Sequence, residues 1–289
     1  MKIALGQMEI VYEQKEENLK LVEDWAVMAA KQGAELLLFP EMTATGFSMN
    51  VSLTGEPEPS GQTARHICAV ARKYGIAIGF GWTGFSQKPE EVHRGKSEVL
   101  AHNHYSVADG QGKIIADYIK IHPFSYGGEG ALFAGGTQSC IFTYRNHTFG
   151  VAICYDLRFP ELFQQLSRQA DTIIVAANWP RARLSQWDCL LQARAIENQS
   201  YVMGINCCGV QDKLIYAGGT RAFRPDGTAL TAEYLAAEEE GVWKKVSEGL
   251  QEQAGMLLVE IGDEAEKCRR EFPVKQDRKE DLYQKWYSV

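Results

Sequence analysis

The chain has 289 residues and a mass of 32.3 kDa, enough for one large α/β domain or two small ones around a sizeable core. Hydrophobic residues make up 45% and charged residues 23%, which excludes a disordered, collagen-like or fibrous chain. Lys plus Arg number 30 against 37 for Asp plus Glu, and the net charge of −7 speaks against nonspecific binding to nucleic acid or to an anionic membrane surface.

Residues 2–8 alternate apolar and polar side chains and read as a strand. No apolar leader core precedes them and no run reaches the roughly 18 apolar residues of a membrane span, so a cytoplasmic chain is expected. Residues 17–32 carry Leu21, Trp25, Met28 and Ala29 at helical spacing, and Gly33 is placed to end that helix. Leu36-Leu37-Leu38-Phe39 is a short continuous apolar run, suited to a strand buried on both faces, and it stops at Pro40-Glu41. Residues 63–73 read as a helix ended by Gly75, and 76–82 as a strand. Residues 97–107 and 113–119 flank Asp109-Gly110-Gln111-Gly112 as a hairpin, and 140–144 and 148–153 flank Arg145-Asn146-His147 as another. A helix at 159–168, a buried strand at 172–177 and a helix at 184–198 follow. Strands at 201–206 and 219–224 lead to a turn at Pro225-Asp226-Gly227, and 256–261 is the last strand.

Hairpins mixed with strand–helix units predict an α/β fold with mixed sheets, and without a Pro/Ser-rich linker residues 1–289 read as a single domain. Two segments stand apart. Residues 232–253, rich in Glu, Ala and Lys, read as an exposed helical excursion. The tail, 275–289, ends in Leu282, Tyr283, Trp286 and Tyr287, which need a surface to bury against, on this subunit or another.

The seven cysteines, an odd number with no CxxC spacing, make neither a disulfide framework nor a structural zinc site and point to a reducing compartment. The adjacent Cys207-Cys208 reads as packing. Three polar residues stand where apolar strands end: Glu41, Lys120 and Cys154. Ligands collect at strand ends in open α/β sheets, and an acid, an ammonium and a thiol gathered there make an activated nucleophile. Singly, each has a plainer reading, as a solvated loop acid, a surface lysine and a core-filling thiol.

The sequence around each of the three resembles the nitrilase superfamily of carbon–nitrogen hydrolases. The matching segments are Leu38-Phe39-Pro40-Glu41-Met42, Tyr118-Ile119-Lys120-Ile121-His122-Pro123-Phe124, Gly150-Val151-Ala152-Ile153-Cys154-Tyr155-Asp156-Leu157-Arg158-Phe159-Pro160-Glu161 and Gln192-Ala193-Arg194-Ala195-Ile196-Glu197-Asn198-Gln199. They keep the family order of Glu, Lys and Cys, and the likeness runs from residue 2 to roughly 231 and resumes near 257. The run from Cys154 to Glu161, the Ala177-Asn178-Trp179-Pro180 strand end and Trp187 are most similar to the omega-amidase branch. Residues 232–253 look longer and more acidic than their family counterpart. The resemblance implies a nitrilase-like four-layer α-β-β-α sandwich, assembled into homodimers or higher homo-oligomers. It also implies a hydrolase without metal or cofactor that releases ammonia from a small omega-amide of a dicarboxylic acid, of the 2-oxoglutaramate or 2-oxosuccinamate type. Hydrolysis of an N-carbamoyl compound, an aliphatic amide or a nitrile stays open, as does a catalytically silent scaffold.

In that chemistry Cys154 attacks the carbonyl and forms a thioester, Glu41 takes the thiol proton and returns it to ammonia, and Lys120 with the backbone N–H of Tyr155 meets the oxyanion. Glu129, in Tyr126-Gly127-Gly128-Glu129-Gly130, reads either as a second glutamate that orients Lys120 or substrate, or as a solvated turn acid. Arg158 is the candidate for a substrate carboxylate, whose planar shape suits a guanidinium, or else an ion-pair partner of Asp156 or Glu161. Phe47, Tyr126 and Trp179 are candidate apolar walls, or core. His122 reads as a hydrogen-bonded structural residue, and Arg194 with Glu197 as a helix salt bridge. With neither GxGxxG after a strand nor GxxxxGK[ST], no nucleotide cofactor is expected, and the expected partner is a small amide, not nucleic acid or membrane.

Overall fold

Strand β1 (Lys2–Gln7) shows the rule that builds the molecule: side chains alternate across a strand, so Ile3 and Leu5 enter one apolar cluster while Ala4 enters another. The computed structural model describes residues 1–59, 61–85, 101–238 and 242–287. In chain order the next elements are α1 (Lys15–Lys31), β2 (Leu36–Leu38), α2 (Val51–Thr54), β3 (Glu56–Pro57), α3 (Gln62–Tyr74), β4 (Ala77–Phe85), β5 (His102–Ala108), β6 (Ile114–Ile119), β7 (Cys140–Tyr144) and β8 (His147–Ile153). Then come α4 (Pro160–Leu166), β9 (Thr172–Ala177), α5 (Leu184–Asn198), β10 (Tyr201–Asn206), β11 (Cys208–Gln211), β12 (Leu214–Ala217), β13 (Arg221–Phe223), β14 (Ala232–Ala237), β15 (Trp243–Val246), β16 (Gly255–Glu260), α6 (Glu264–Glu271) and α7 (Glu280–Tyr287).

The strands form two large mixed sheets. The nine-stranded sheet runs β15-β14-β16-β1-β2-β4-β5-β6, with β3 added along β4, and the five-stranded sheet runs β13-β10-β9-β8-β7. Strands β1, β2 and β4 are parallel, as are β8, β9 and β10, and the flanking pairs are antiparallel. Leu5, Leu38 and Tyr105 from the first sheet pack on Val151, Ile174 and Met203 from the second, which makes the central layer boundary. The outer faces carry helices. Ala4, Leu37 and Phe80 meet Leu19, Val22 and Trp25 of α1 and Ile67 of α3. Ile173, Val175 and Val202 meet Phe163 of α4 and Trp187 and Leu191 of α5. The result is the four-layer α-β-β-α sandwich. Each fully buried Leu, Ile, Val or Phe side chain contributes about 1.5–3 kcal/mol by leaving water, and both sheets bury such residues on both faces. The central strands β2 and β9 are therefore buried along their whole length.

One expectation changes. Residues 232–253 contain an antiparallel hairpin, not a helix: β14 pairs with β16 and β15 pairs with β14 at the edge of the nine-stranded sheet. Ala, Glu and Lys favour a helix in isolation, but here Leu235 and Ala236 are buried on opposite faces of a strand, and Trp243 packs edge-on to Trp25 at 5.1 Å. The charges decorate a sheet edge, with Lys245 paired to Glu233. In the tail, Leu282 and Trp286 of α7 remain exposed on this chain, at 42% and 63%. The start of the strand expected at 97–107 lies outside the described residues up to 100, and the strand itself begins at His102. All seven cysteines are free thiols. Among the described residues, no helix is long and apolar enough to cross a membrane.

Candidate active site

Glu41, Lys120, Cys154 and Asn178 each follow the last residues of a strand, β2, β6, β8 and β9, and the two sheets bring those ends together. Glu41 sits in a tight turn tied to β4: Thr43 N donates to the carbonyl of Gly81 at 2.9 Å, and Gly81 N donates to Thr43 Oγ1 at 2.9 Å. Gly81 has to be glycine for space, because a Cβ there would come within 2.2 Å of Met42 N. Lys120 is held in place by its backbone N–H, which donates to the carbonyl of Asn103 at 2.9 Å.

These side chains converge. Lys120 Nζ lies 2.9 Å from Glu41 Oε1 and 2.8 Å from Glu129 Oε2. Asn103 Nδ2 donates to Glu41 Oε1 at 2.8 Å and to Glu129 Oε1 at 2.9 Å, closing a ring of two carboxylates, one ammonium and one amide. Glu41 Oε2 accepts from the backbone N–H of Asn178 at 2.9 Å, and Glu129 Oε2 accepts from that of Phe124 at 2.6 Å. Glu41, Lys120 and Glu129 are no more than 1% exposed. Charges buried this far are tolerable only when paired and fully hydrogen-bonded. Burial alone would pull Lys120 down, but Glu41 and Glu129, helped by Cys154, outweigh it and hold the ammonium above its ordinary range. Glu129 is thus not a solvated turn acid.

Cys154 begins a short 3-10 turn, residues Cys154–Arg158, with φ of +46°. Left-handed backbone at a non-glycine residue costs of order 1–3 kcal/mol and needs support from its surroundings. Asp156 supplies it. Its carboxylate accepts from Ile153 N at 2.9 Å, Tyr118 Oη at 2.8 Å and His122 N at 3.1 Å, and meets His122 Nδ1 at 2.7 Å. The His122 ring stacks on Phe159 at 3.8 Å, so His122 belongs to this frame. Burial first, then the Glu41 and Glu129 carboxylates, push the Cys154 thiol well above its ordinary range, with Lys120 opposing them. Burial and the two carboxylates thus disfavour a free thiolate at this sulfur. The N–H of Tyr155 lies in the first turn, where no intrahelical acceptor exists.

Cys154 lines a cleft with about 460 Å³ of atom-free space, a figure that includes the open solvent at its mouth. Phe47, Phe124, Tyr155 and Trp179 give it apolar walls, and Arg158 and Arg183 line it as well. Arg158 lies 4.9 Å from the Trp179 ring and donates to Gln186 Oε1 at 2.6 Å, while Asp156 is taken up by the Cys154 turn. Arg183 lies 5.7 Å from the rings of both Phe124 and Tyr126. Tyr126, expected as a wall, stands outside the lining with 86% of its surface exposed, because the glycine-rich loop turns its ring outward against Arg183. Arg194 pairs with Glu197 at 3.0 Å, as its spacing predicts.

Local pattern does not single out Asn103 or Arg183, nor say what Asn178 does. Asn178 Nδ2 donates to the carbonyl of Glu41 at 2.7 Å, and its Oδ1 accepts from Gln211 Nε2 at 3.0 Å, which ties the β11–β12 hairpin to the acid. Asn178 lies inside the Ala177-Asn178-Trp179-Pro180 segment, whose sequence does not reveal these bonds. Asn103 gave no local signal, since a polar residue in an alternating strand reads as solvent-facing.

Comparison with known proteins places the chain in a family. The family model described as carbon-nitrogen hydrolase matches residues 2–245, which includes most of the β14–β15 hairpin. The chain is 30% identical over 284 residues to a 2-oxoglutaramate amidase of Bacillus subtilis, covering 97% of this chain and 98% of that protein. It is 29% identical over 217 residues to an omega-amidase of Yersinia enterocolitica, covering 73% of this chain and 76% of that one. Among solved structures, a nitrilase-superfamily amidase from Nesterenkonia sp. AN1 superposes with a TM-score of 0.79 at 25% identity, over 99% of this chain and 97% of its own. Another form of that amidase carries the acetamide moiety of fluoroacetamide covalently on its active site cysteine, and it matches this chain equally well, with a TM-score of 0.79 at 25% identity over 99% of this chain and 96% of its own. The chain belongs to the carbon-nitrogen hydrolase family of the nitrilase superfamily and is an amide-hydrolysing enzyme.

Proposed function

We propose that this enzyme hydrolyses a short omega-amide that carries a carboxylate, of the 2-oxoglutaramate or 2-oxosuccinamate type, with Cys154 as nucleophile, Glu41 as general base and acid, and Lys120 as the cation for the oxyanion. The observation that carries the reading is Lys120 Nζ held between Glu41 at 2.9 Å and Glu129 at 2.8 Å beside the Cys154 sulfur.

The steps balance within this set. Glu41 takes the proton of the Cys154 thiol as sulfur attacks the amide carbon, so no free thiolate has to persist in a site that disfavours it. Negative charge moves to the carbonyl oxygen, where Lys120 Nζ and the N–H of Tyr155 receive it. One such donor typically lowers the barrier by about 2.7–4 kcal/mol. The tetrahedral species collapses, the C–N bond breaks, and Glu41 returns the proton to the departing nitrogen. Ammonia leaves and a thioester remains on Cys154. Water then gives a proton to Glu41 as it attacks the thioester, and sulfur leaves with that proton, freeing the acid. Glu129 and Asn103 position Lys120 and Glu41.

Two features support a carboxylate-bearing substrate. The cleft walls are apolar, with two guanidinium groups in the lining, and the relatives at about 30% identity include a 2-oxoglutaramate amidase. The test is a substrate panel with ammonia detection, run beside mass spectrometry of the acyl–Cys154 adduct. Turnover of 2-oxoglutaramate well above butyramide, N-carbamoyl amino acids and nitriles is the expected result. Preference for any of the others overturns the substrate, and an adduct on a different thiol overturns the nucleophile.

A further inference from the structure

We propose that Glu58, His102 and His104 bind a divalent first-row transition cation of the zinc type on the outer face of the nine-stranded sheet, behind the catalytic centre. The juxtaposition follows from strand alternation. Tyr105 and Val107 of β5 face the inter-sheet core and Asn103 the active site, so His102 and His104 project from the other side. There the acceptor atoms of Glu58, His102 and His104 lie within 4.8 Å of one another. Glu58 Oε1 is 2.7 Å from His102 Nδ1 and 3.2 Å from His104 Nε2.

Three further observations make this a built site. The far nitrogen of His104, Nδ1, faces Asp117 Oδ1 at 3.1 Å, the carboxylate–imidazole relation that fixes a metal-binding tautomer. The ring is stacked on Trp82 at 4.3 Å, Trp82 Nε1 donates to Ser106 Oγ, and Ser106 Oγ donates to Asp117, so His104 has little freedom to turn away. Beside the cluster stands Gly84, where a Cβ would come within 2.8 Å of His104 Nε2 and 2.9 Å of Glu58 Oε1. Its φ lies outside the left-handed region, so space is the reason for glycine there. The His102 and Glu58 side chains are 21% and 18% exposed, which leaves a route from solvent, while His104 at 3% is sheltered.

Two imidazoles and one carboxylate suit zinc or cobalt better than magnesium or calcium, which favour all-oxygen sites. The cation takes the nitrogen lone pairs, the protons held toward Glu58 pass to solvent, and water completes the coordination. The consequence is mechanical. The cation ties the segment after β3 to β5, whose Asn103, between the two histidines, holds both Glu41 and Glu129.

The test uses the full chain, stripped with chelator and titrated with Zn2+ by calorimetry and with Co2+ by absorption spectroscopy. The expected result is one saturable site with a cobalt spectrum of N/O ligands, free of a thiolate charge-transfer band, and a melting temperature that rises with metal concentration. His102→Ala and Glu58→Gln should each weaken binding more than about 10-fold. Asp117→Asn, which removes no ligand, should weaken it about 10–100-fold. Circular dichroism confirms that each variant is folded, and Glu58→Gln keeps the side-chain shape should His102→Ala fail. Absence of saturable binding, unchanged affinity in the folded variants, or a thiolate band would each overturn the site and leave a hydrogen-bonded histidine cluster.

Discussion

Glu129 and Lys120 are locked together by geometry that no neutral side chain can copy. Glu129 Oε2 accepts from Lys120 Nζ at 2.8 Å and from Phe124 N at 2.6 Å, while Oε1 accepts from Asn103 Nδ2 at 2.9 Å. Every group facing this carboxylate is a donor. Glu129→Gln therefore places an NH2 against another donor in either orientation. We expect a stability loss of about 1–3 kcal/mol, the cost of an unsatisfied buried group, and a fall in kcat of about 10²–10³-fold with a smaller change in KM. Chemical denaturation and steady-state kinetics check this. Wild-type kcat in Glu129→Gln would show that Glu129 does not position Lys120.

Glu41→Gln should separate two properties of Cys154 that usually travel together. Amide turnover falls by about 10²–10⁴-fold, because proton transfer is lost. The thiol itself becomes more acidic, since burial and the Glu41 charge are what push it up while Lys120 pulls it down. Sign and direction are clear: removing a nearby negative charge lowers a thiol pKa. Labelling of Cys154 by the small neutral reagent methyl methanethiosulfonate at pH 7, followed by mass spectrometry, should be faster in Glu41→Gln than in wild type. Slower labelling contradicts the electrostatics described.

Gly81→Ala probes the turn instead of the chemistry. The added methyl would meet the backbone at Met42 N, 2.2 Å away, and the Glu41 carbonyl carbon, 2.8 Å away. Backbone cannot swing aside like the end of a flexible side chain, so the Glu41 turn must move. Overpacking of this kind costs about 1–3 kcal/mol. A folded Gly81→Ala protein should lose at least 10-fold in kcat, since misplacement by an ångström is expensive in catalysis. A fully active variant would mean that the turn tolerates displacement.

The parts of this molecule legible in the sequence are those whose cause is local. The apolar run Leu36–Leu38, the helix Leu184–Asn198 and the hairpin around Asp109-Gly110 report their own structure through periodicity and turn chemistry. Glu41, Lys120 and Cys154 were visible because each interrupts such a pattern at a strand end. Asn103 was not, because its partners are 62 and 26 residues away and only sheet pairing brings them into reach. The β14–β15 hairpin is hidden for the same reason: its helix-favouring composition is overruled by pairing with β16, 19 to 27 residues distant in sequence, from the Ala236–Gly255 pair to the Ala232–Val259 pair. Tyr126, a candidate wall or core residue by its type, is neither, because the glycine-rich loop turns its ring outward against Arg183.

Arg158 and Arg183 divide the substrate question. A charge-assisted hydrogen bond to a carboxylate is worth about 1.5–3 kcal/mol, or roughly 10–100-fold in kcat/KM. Arg158→Met and Arg183→Met should each be assayed with 2-oxoglutaramate and with butyramide. The arginine that grips the carboxylate will lose activity on the first and retain it on the second. An equal loss on both substrates marks an arginine that only supports the cleft walls, as the stacking of Arg158 on Trp179 permits. No selective loss in either variant would remove the support for a carboxylate-bearing substrate.

Lys275 gives the fold a pH dependence of its own. Its ammonium donates to the carbonyl of Ser167 at 2.6 Å, and burial, with help from the neighbouring Arg269 charge, pulls its pKa down from 10.5 to about 7. Between those values the unfolded chain binds a proton that the folded chain lacks, so stability rises with pH across that window and is insensitive to this group below it. Lys275→Met removes the penalty. At pH 7 the variant should melt higher than wild type, and the gap should shrink as pH climbs towards 10, where the neutral lysine keeps its hydrogen bond and the methionine has none. Measuring both proteins at each pH cancels the other groups that titrate in the same range. A gap that stays constant from pH 7 to 10 would place Lys275 in water, with an ordinary ammonium, and would detach the segment after α6 from the Ser167 carbonyl.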